Sequence, residues 1–354
     1  MPTTLARSAF IALGLLAFDV SRAVAAADAG LAPCQRLAEV AHGLAPAVWS
    51  DGFGALKPQL TLAKWDDKLT PLEARLAVLP AVKTALADED GGYKISVQQL
   101  APGLFVASDT QGTLDCQSFV FLKVGPGGDA KIVAAPPAFT DLCWTDGGQA
   151  GRVFDQPAFV ETSDFADPAA DKQAVAITPW TGDSWGSPCR ITLTYRIAFA
   201  TTERFCGDFA VCAAATPLAA GIAAAHGKAS ADAPFMYGAA PSADESALLQ
   251  RVGGAWPDEM TTPPFSTFGV KAKTAFDTYS YNDVDLFPLR LAGASYIAAV
   301  GYGGVGWRMI GDTLVAVYSV DDDKLKPLAG FVVVKSVTGL ASADVDRPAP
   351  AGDR

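Results

Sequence analysis

Between residues 190 and 199 apolar and polar side chains alternate. Ile191, Leu193, Tyr195, Ile197 and Phe199 fall on one side, and Thr192, Thr194 and Arg196 on the other. A period of two sends successive side chains to opposite faces of an extended chain, so the stretch reads as a half-buried strand. The same period, or a short apolar run bounded by turn formers, recurs at 93–100, 103–108, 157–162 and 174–180, and again at 286–291, 295–302, 312–320 and 328–337. "CQSFVFLKV" and "DAKIVAA" flank "GPGG", whose glycines accept the positive φ that a tight hairpin turn needs.

Helical spacing is confined to fewer places. Residues 34–49 read as a helix broken near Gly43 and Pro46. A second helix starts at Thr70-Pro71-Leu72-Glu73, a capping box with proline at the first helical position, and continues through Leu72, Leu76 and Leu79 until Pro80 interrupts it. Residues 213–265 form an Ala/Gly/Pro-rich connecting segment that contains a short helix, "ADESALLQRV". Residues 341–354 have the composition of a disordered tail. The predicted fold class is α+β, predominantly antiparallel β, with N-terminal helices and an Ala-rich helical segment between two β regions. The division expected is residues 27–212, holding all cysteines, then 213–265, then a C-terminal β region at 266–340, as one domain with 27–212 or as a second.

The first 26 residues read as a cleavable export signal. Arg7 supplies the positive start, "AFIALGLLAF" the short apolar stretch, and Ala23-Val24-Ala25 a small-x-small cleavage pattern. Ten apolar residues are too few to span a bilayer, and no later run reads as apolar for long enough. Pro33 before Cys34 argues against lipidation. The expected location is the periplasm, or outside the cell. Six cysteines, Cys34, Cys116, Cys143, Cys189, Cys206 and Cys212, fit an oxidising compartment and three disulfides, with 15 arrangements open. Cys206 with Cys212, and Cys116 with Cys143, are the suggested neighbours. The wide spacings, with only His42 and His226 beside them, argue against a zinc cluster. A net charge of −11 without a basic cluster argues against nucleic acid as a partner.

One stretch invites a catalytic reading. "GDSWGSP", residues 182–188, resembles the G-D-S-G-G-P motif of trypsin-like serine proteases, which implies Ser184 as nucleophile. That family needs its histidine after a barrel strand, and His42 lies in a helical stretch. Gly182-Asp183-Ser184-Trp185-Gly186 also resembles the nucleophile elbow of α/β-hydrolases, which implies His226 as base. An elbow leads into a helix, whereas Pro188 and a strand follow here. A corner between two strands needs only the turn formers present. "GYGGVG", residues 301–306, follows a strand but precedes another strand rather than the helix a dinucleotide site requires. Asp321-Asp322-Asp323 and Asn282-Asp283-Val284-Asp285 lack the loop and closing glutamate of a calcium site. No metal and no cofactor is therefore expected.

Trp144, Trp180, Trp185 and Trp307 sit among loop residues. Such rings cap a β core or stack on a ligand. Trp180, Trp185, Trp144 and Arg308 are the candidate binding residues, with Trp180 and Trp185 expected to be the more exposed because they bracket one loop. The function expected is non-catalytic binding of an envelope ligand, whether glycan, peptide or protein, with no membrane span after signal cleavage. The alternative is an envelope-polymer hydrolase using Asp/Glu groups, or Ser184 with His226.

Overall fold

A computed structural model describes residues 30–65, 68–86, 94–111, 116–137, 147–163, 171–226, 242–253, 284–302, 313–321 and 324–347. The stretch read as an export signal, Trp144, Cys143, Arg308 and most of "GYGGVG" lie outside these residues. The chain is α+β and predominantly β, with its strands in antiparallel ladders. It divides into two compact units. The first draws on Met1–Asp164, Gln173–Thr194 and Leu340–Arg354, the second on Phe165–Lys172 and Tyr195–Gly339.

The first unit opens with α1 (residues 30–43) and α2 (Ala45–Asp51), separated at Leu44, between the glycine and the proline that break the pattern. A 3-10 turn, Gly52–Leu56, leads into the short strand β1 (Leu60–Leu62). The capping box forms as the sequence reads: the Thr70 hydroxyl accepts from the Glu73 N–H at 3.3 Å, and the Glu73 carboxylate accepts from the Thr70 N–H at 2.7 Å. The helix it starts, α3, covers Pro71–Ala77, and Pro80 then opens α4 (Pro80–Leu86).

Four strands form one meander: β2 (Ile95–Ala101), β3 (Leu104–Gln111), β4 (Cys116–Val124) and β5 (Ala130–Val133). One face of this sheet, carrying Val97, Phe105, Ala107, Val120 and Leu122, packs against Leu76, Val82 and Leu86 of the helices. The other face carries Leu100, Leu104, Val106 and Phe121. It meets Ala150, Phe159 and Trp180 from a second set of strands. With both faces covered, β3 and β4 have few outward positions that need to be polar, which is why their runs are nearly continuously apolar.

The second set includes β6 (Gly148–Val153), β7 (Gln156–Ser163), β8 (Lys172–Pro179) and the start of β9 (Cys189–Cys206), in the order β1-β6-β7-β8-β9. Buried Gln98 ties the two layers together. Its amide oxygen accepts from the Ala150 N–H at 3.0 Å, and its amide nitrogen donates to the Ala63 carbonyl at 3.4 Å. The α1 helix is bonded to β9 through a Cys34–Cys189 disulfide, and buried Gln173 of β8 donates to the Trp49 carbonyl of α2 at 3.5 Å.

Pattern reading passes over β1 and β6, and the β6–β7 turn shows why. Its two central residues, Phe154 and Asp155, have φ of +46° and +67°. That mirror-image geometry suits a two-residue hairpin but is ordinarily signalled by Asn-Gly or Asp-Gly. Here tertiary contacts hold it. The Phe154 N–H donates to the Gln59 carbonyl at 2.8 Å, Arg152 donates to the Asp155 carbonyl, and the Arg36 guanidinium lies 3.9 Å from the centre of the Phe154 ring.

In the second unit the strand order is β9-β13-β12-β11-β10, with β10 covering Val284–Leu291, β11 Ala294–Tyr302, β12 Thr313–Asp321 and β13 Lys324–Asp346. Helix α5 (Phe209–His226) buries Val211, Ala215, Ala219, Ile222 and Ala223 against Phe287, Leu289, Ala298, Val300, Val315, Val317 and Phe331. The opposite face, with Ile297, Ala299, Leu314, Ala316 and Tyr318, packs on Leu248 and Leu249 of α6 (Ala243–Gly253). Two details differ from the sequence reading. The strand β13 continues to Asp346, into the residues whose composition reads as a disordered tail. The start of the connecting segment is helix: α5 is 18 residues long and apolar enough to meet the length and composition of a membrane span. Its apolar inner face lies on the sheet of its own unit.

Candidate functional site

The loop from Trp180 to Pro188 joins β8 to β9 and is held by short-range hydrogen bonds of its own. The Thr181 N–H and its hydroxyl both donate to the Ser184 carbonyl, at 2.9 and 2.8 Å. The Gly186 N–H donates to the Pro179 carbonyl at 2.8 Å, and Trp180 and Trp185 face each other in a lone β-bridge. Gly182 has φ +106°, a conformation an L side chain rarely adopts. A Cβ on Gly186 would come within 3.0 Å of the Pro179 ring. Both glycines are thus required by the turn itself.

Ser184 belongs to this turn. Its hydroxyl lies 3.2 Å from the Thr181 hydroxyl, and the residue is exposed. A nucleophile needs a base within hydrogen-bond reach. His226 ends α5, is buried there, and belongs to the other unit. His42 is exposed on α1. Ser184 is followed by Trp185, Gly186 and the strand beginning at Cys189, not by a helix.

Trp180 and Trp185 are brought together, but not as two exposed rings. Trp180 is 7% exposed and sits in the core between the strand layers. Trp185 is half-buried above it, with its ring edge-on to Trp180 at 5.0 Å and to Phe121 at 5.3 Å between centroids. Phe121 in turn stands edge-on to Phe159 at 5.0 Å. Edge-to-face contacts of this kind add about 0.5–1.5 kcal/mol each beyond area burial. The Trp185 indole N–H donates to the Ala134 carbonyl just after β5 at 2.8 Å, which fastens the loop across the edge of the meander.

Around Trp185 the surface is polar and of mixed charge. Lys123 of β4 pairs with Asp183 of the loop at 3.1 Å, their side chains 47% and 97% exposed. Register puts Lys131 of β5 directly beside Lys123. Pattern reading missed these lysines as site residues; the signal available was their place in the alternation, one period beyond Phe121 and Val133. Thr178 of β8, two residues before Trp180, is 1% exposed, and its hydroxyl has no hydrogen-bond partner among the described residues.

The disulfide framework is partly visible. Cys34 pairs with Cys189, a partnership that spacing did not suggest, and Cys206 pairs with Cys212, which it did. The suggested pairing of Cys116 with Cys143 falls outside the described residues. Such pairs point to an oxidising environment. Among the described residues no group of three or more His, Cys, Asp or Glu side chains could hold a metal ion. Comparison with protein-family models, with curated proteins and with solved structures finds no match.

Proposed function

We propose that this chain is a non-catalytic binding protein of the cell envelope, exported to the periplasm or beyond, and that the Trp180–Pro188 loop over the β4–β5 edge is its contact surface. The observation carrying the reading is the commitment of Ser184 to a turn. The only reactive-looking motif in the loop is used to build a rigid corner, and that corner displays one half-buried indole among exposed hydrogen-bonding groups. Trp185 beside Lys123, Asp183 and Thr181 suits a glycan best: a sugar ring stacks on the free part of the indole, and its hydroxyls meet the amine, carboxylate and threonine. A peptide or protein ligand is the other occupant such a surface accepts.

The test is titration of the full-length protein with soluble envelope glycan fragments, read by tryptophan fluorescence and calorimetry. The expected result is a saturable signal, weakened about tenfold or more by Lys123→Ala combined with Asp183→Ala, a change corresponding to roughly 1.4 kcal/mol. Covalent labelling of Ser184 by a fluorophosphonate would overturn the reading in favour of a hydrolase. Binding unaffected by the double variant would remove this loop from it.

A further inference from the structure

The two described disulfides differ in ways that bear on their chemistry. Cys34 and Cys189 are both 0% exposed, the first on α1 and the second at the start of β9. Cys206 is the last residue of β9 and only partly buried, whereas Cys212, in the first turn of α5, is 2% exposed. Between them only Val211 is buried. Gly207, Asp208, Phe209 and Ala210 are all exposed, and Phe209 is 84% exposed.

That short ring is also held by bonds that do not involve sulfur. The N–H groups of Gly207 and Asp208 both donate to the Leu328 carbonyl of β13 at 2.8 Å. The Asp208 carboxylate caps α5, accepting from the N–H groups of Ala210 and Val211 at 2.9 and 3.0 Å, and the Cys212 N–H donates to the Asp208 carbonyl at 2.9 Å. Strand, turn and helix start thus remain connected if the sulfur–sulfur bond opens.

We propose that Cys206–Cys212 is a thiol–disulfide exchange site, open to an external dithiol at Cys206, while Cys34–Cys189 is closed to it in the folded protein. The thiolate of the dithiol attacks Cys206 Sγ, the bond to Cys212 breaks, and Cys212 Sγ leaves as a thiolate that takes a proton from water. The second thiol of the reagent then attacks the mixed disulfide. It releases Cys206 as a thiol and leaves the reagent as a cyclic disulfide, two electrons having passed to the protein. Access decides which sulfur is attacked, and the more exposed cysteine is the point of entry. The physiological counterpart is a dithiol–disulfide oxidoreductase.

Native full-length protein is treated with graded dithiothreitol, quenched, alkylated and mapped by mass spectrometry, with far-UV circular dichroism recorded on the same samples. The expected result is alkylation of Cys206 and Cys212 at least about tenfold faster than of Cys34 and Cys189, at unchanged circular dichroism. Cys116 and Cys143 are read as separate peptides and do not enter the comparison. Glutathione in place of the dithiol should leave its adduct on Cys206. Equal rates for the two pairs, the reverse order, an adduct on Cys212, or labelling that appears only as the dichroism is lost would each overturn the proposal.

Discussion

Replacing both Cys34 and Cys189 by alanine removes the bond that closes the longer of the two described loops. The partners are 155 residues apart in sequence, against 6 for Cys206 and Cys212. In the chain-entropy description, a cross-link lowers the entropy of the unfolded chain by a constant plus 1.5R times the logarithm of loop length. That gives about 5 kcal/mol at 25 °C for the long loop and about 2 kcal/mol for the short ring. A loss of about 5 kcal/mol is comparable with the whole stability of a typical domain, ~5–15 kcal/mol. The replaced sulfurs are fully buried, so lost packing acts in the same direction. The measurement is urea unfolding of the oxidised protein and of each double-alanine variant, followed by tryptophan fluorescence, which reports on Trp180 and Trp185 in the affected unit. The expected order is a severe loss for the Cys34/Cys189 variant and a mild one for Cys206/Cys212. A loss below about 2 kcal/mol for the first, or a larger loss for the second, would refute the loop-length reasoning.

Thr178→Val keeps the shape of a buried side chain while deleting a hydroxyl that has no partner. It should raise stability by about 1 kcal/mol in the same urea assay, since an unsatisfied buried group costs roughly that much. The Arg290 fork, which meets both Glu245 oxygens at 2.9 Å, and the Ser242 N–H hold the Glu245 carboxyl down to about 2 from an ordinary 4.5. Its contribution is therefore complete above the ordinary value and lost as pH falls from there toward 2. Protection of the α6 amides, taken relative to intrinsic exchange at each pH, should fall across that window in the wild type, and in Glu245→Gln it should be low already at neutral pH. Lys123→Ala alone should change stability by less than about 0.5 kcal/mol, because its pair with Asp183 is open to solvent. Alkaline titration by ultraviolet absorbance should leave Tyr195 and Tyr318 protonated after exposed tyrosines have ionised, because burial pushes both phenols up.

Elements whose cues are local could be read from the chain directly. The α3 start needed only Thr70, Pro71 and Glu73. The β4–β5 hairpin needed only its glycines, and the alternation from Ile191 to Tyr195 matches burial position by position. Elements whose cues are distant could not. The β6–β7 turn is made by Gln59, Arg36 and Arg152 acting on Phe154 and Asp155. The stretch after Cys212 reads as a linker because alanine and glycine say little about partners, yet small residues are what let α5 lie close on its sheet. At the candidate site, the turn around Ser184 was legible from its Gly, Ser, Asp and Pro content. The depth of Trp180 was not, because it depends on Phe121 and Phe159 arriving from other strands. Lys123 reaches Asp183 across 60 residues of sequence, which no local pattern encodes.

The strands β9 and β13 each begin in one unit and end in the other. No single cut in the chain therefore yields a contiguous fragment that holds all of either half, and deletion mapping by truncation would damage both at once. During synthesis, neither half can be completed until β13 has emerged, because each draws on part of that strand.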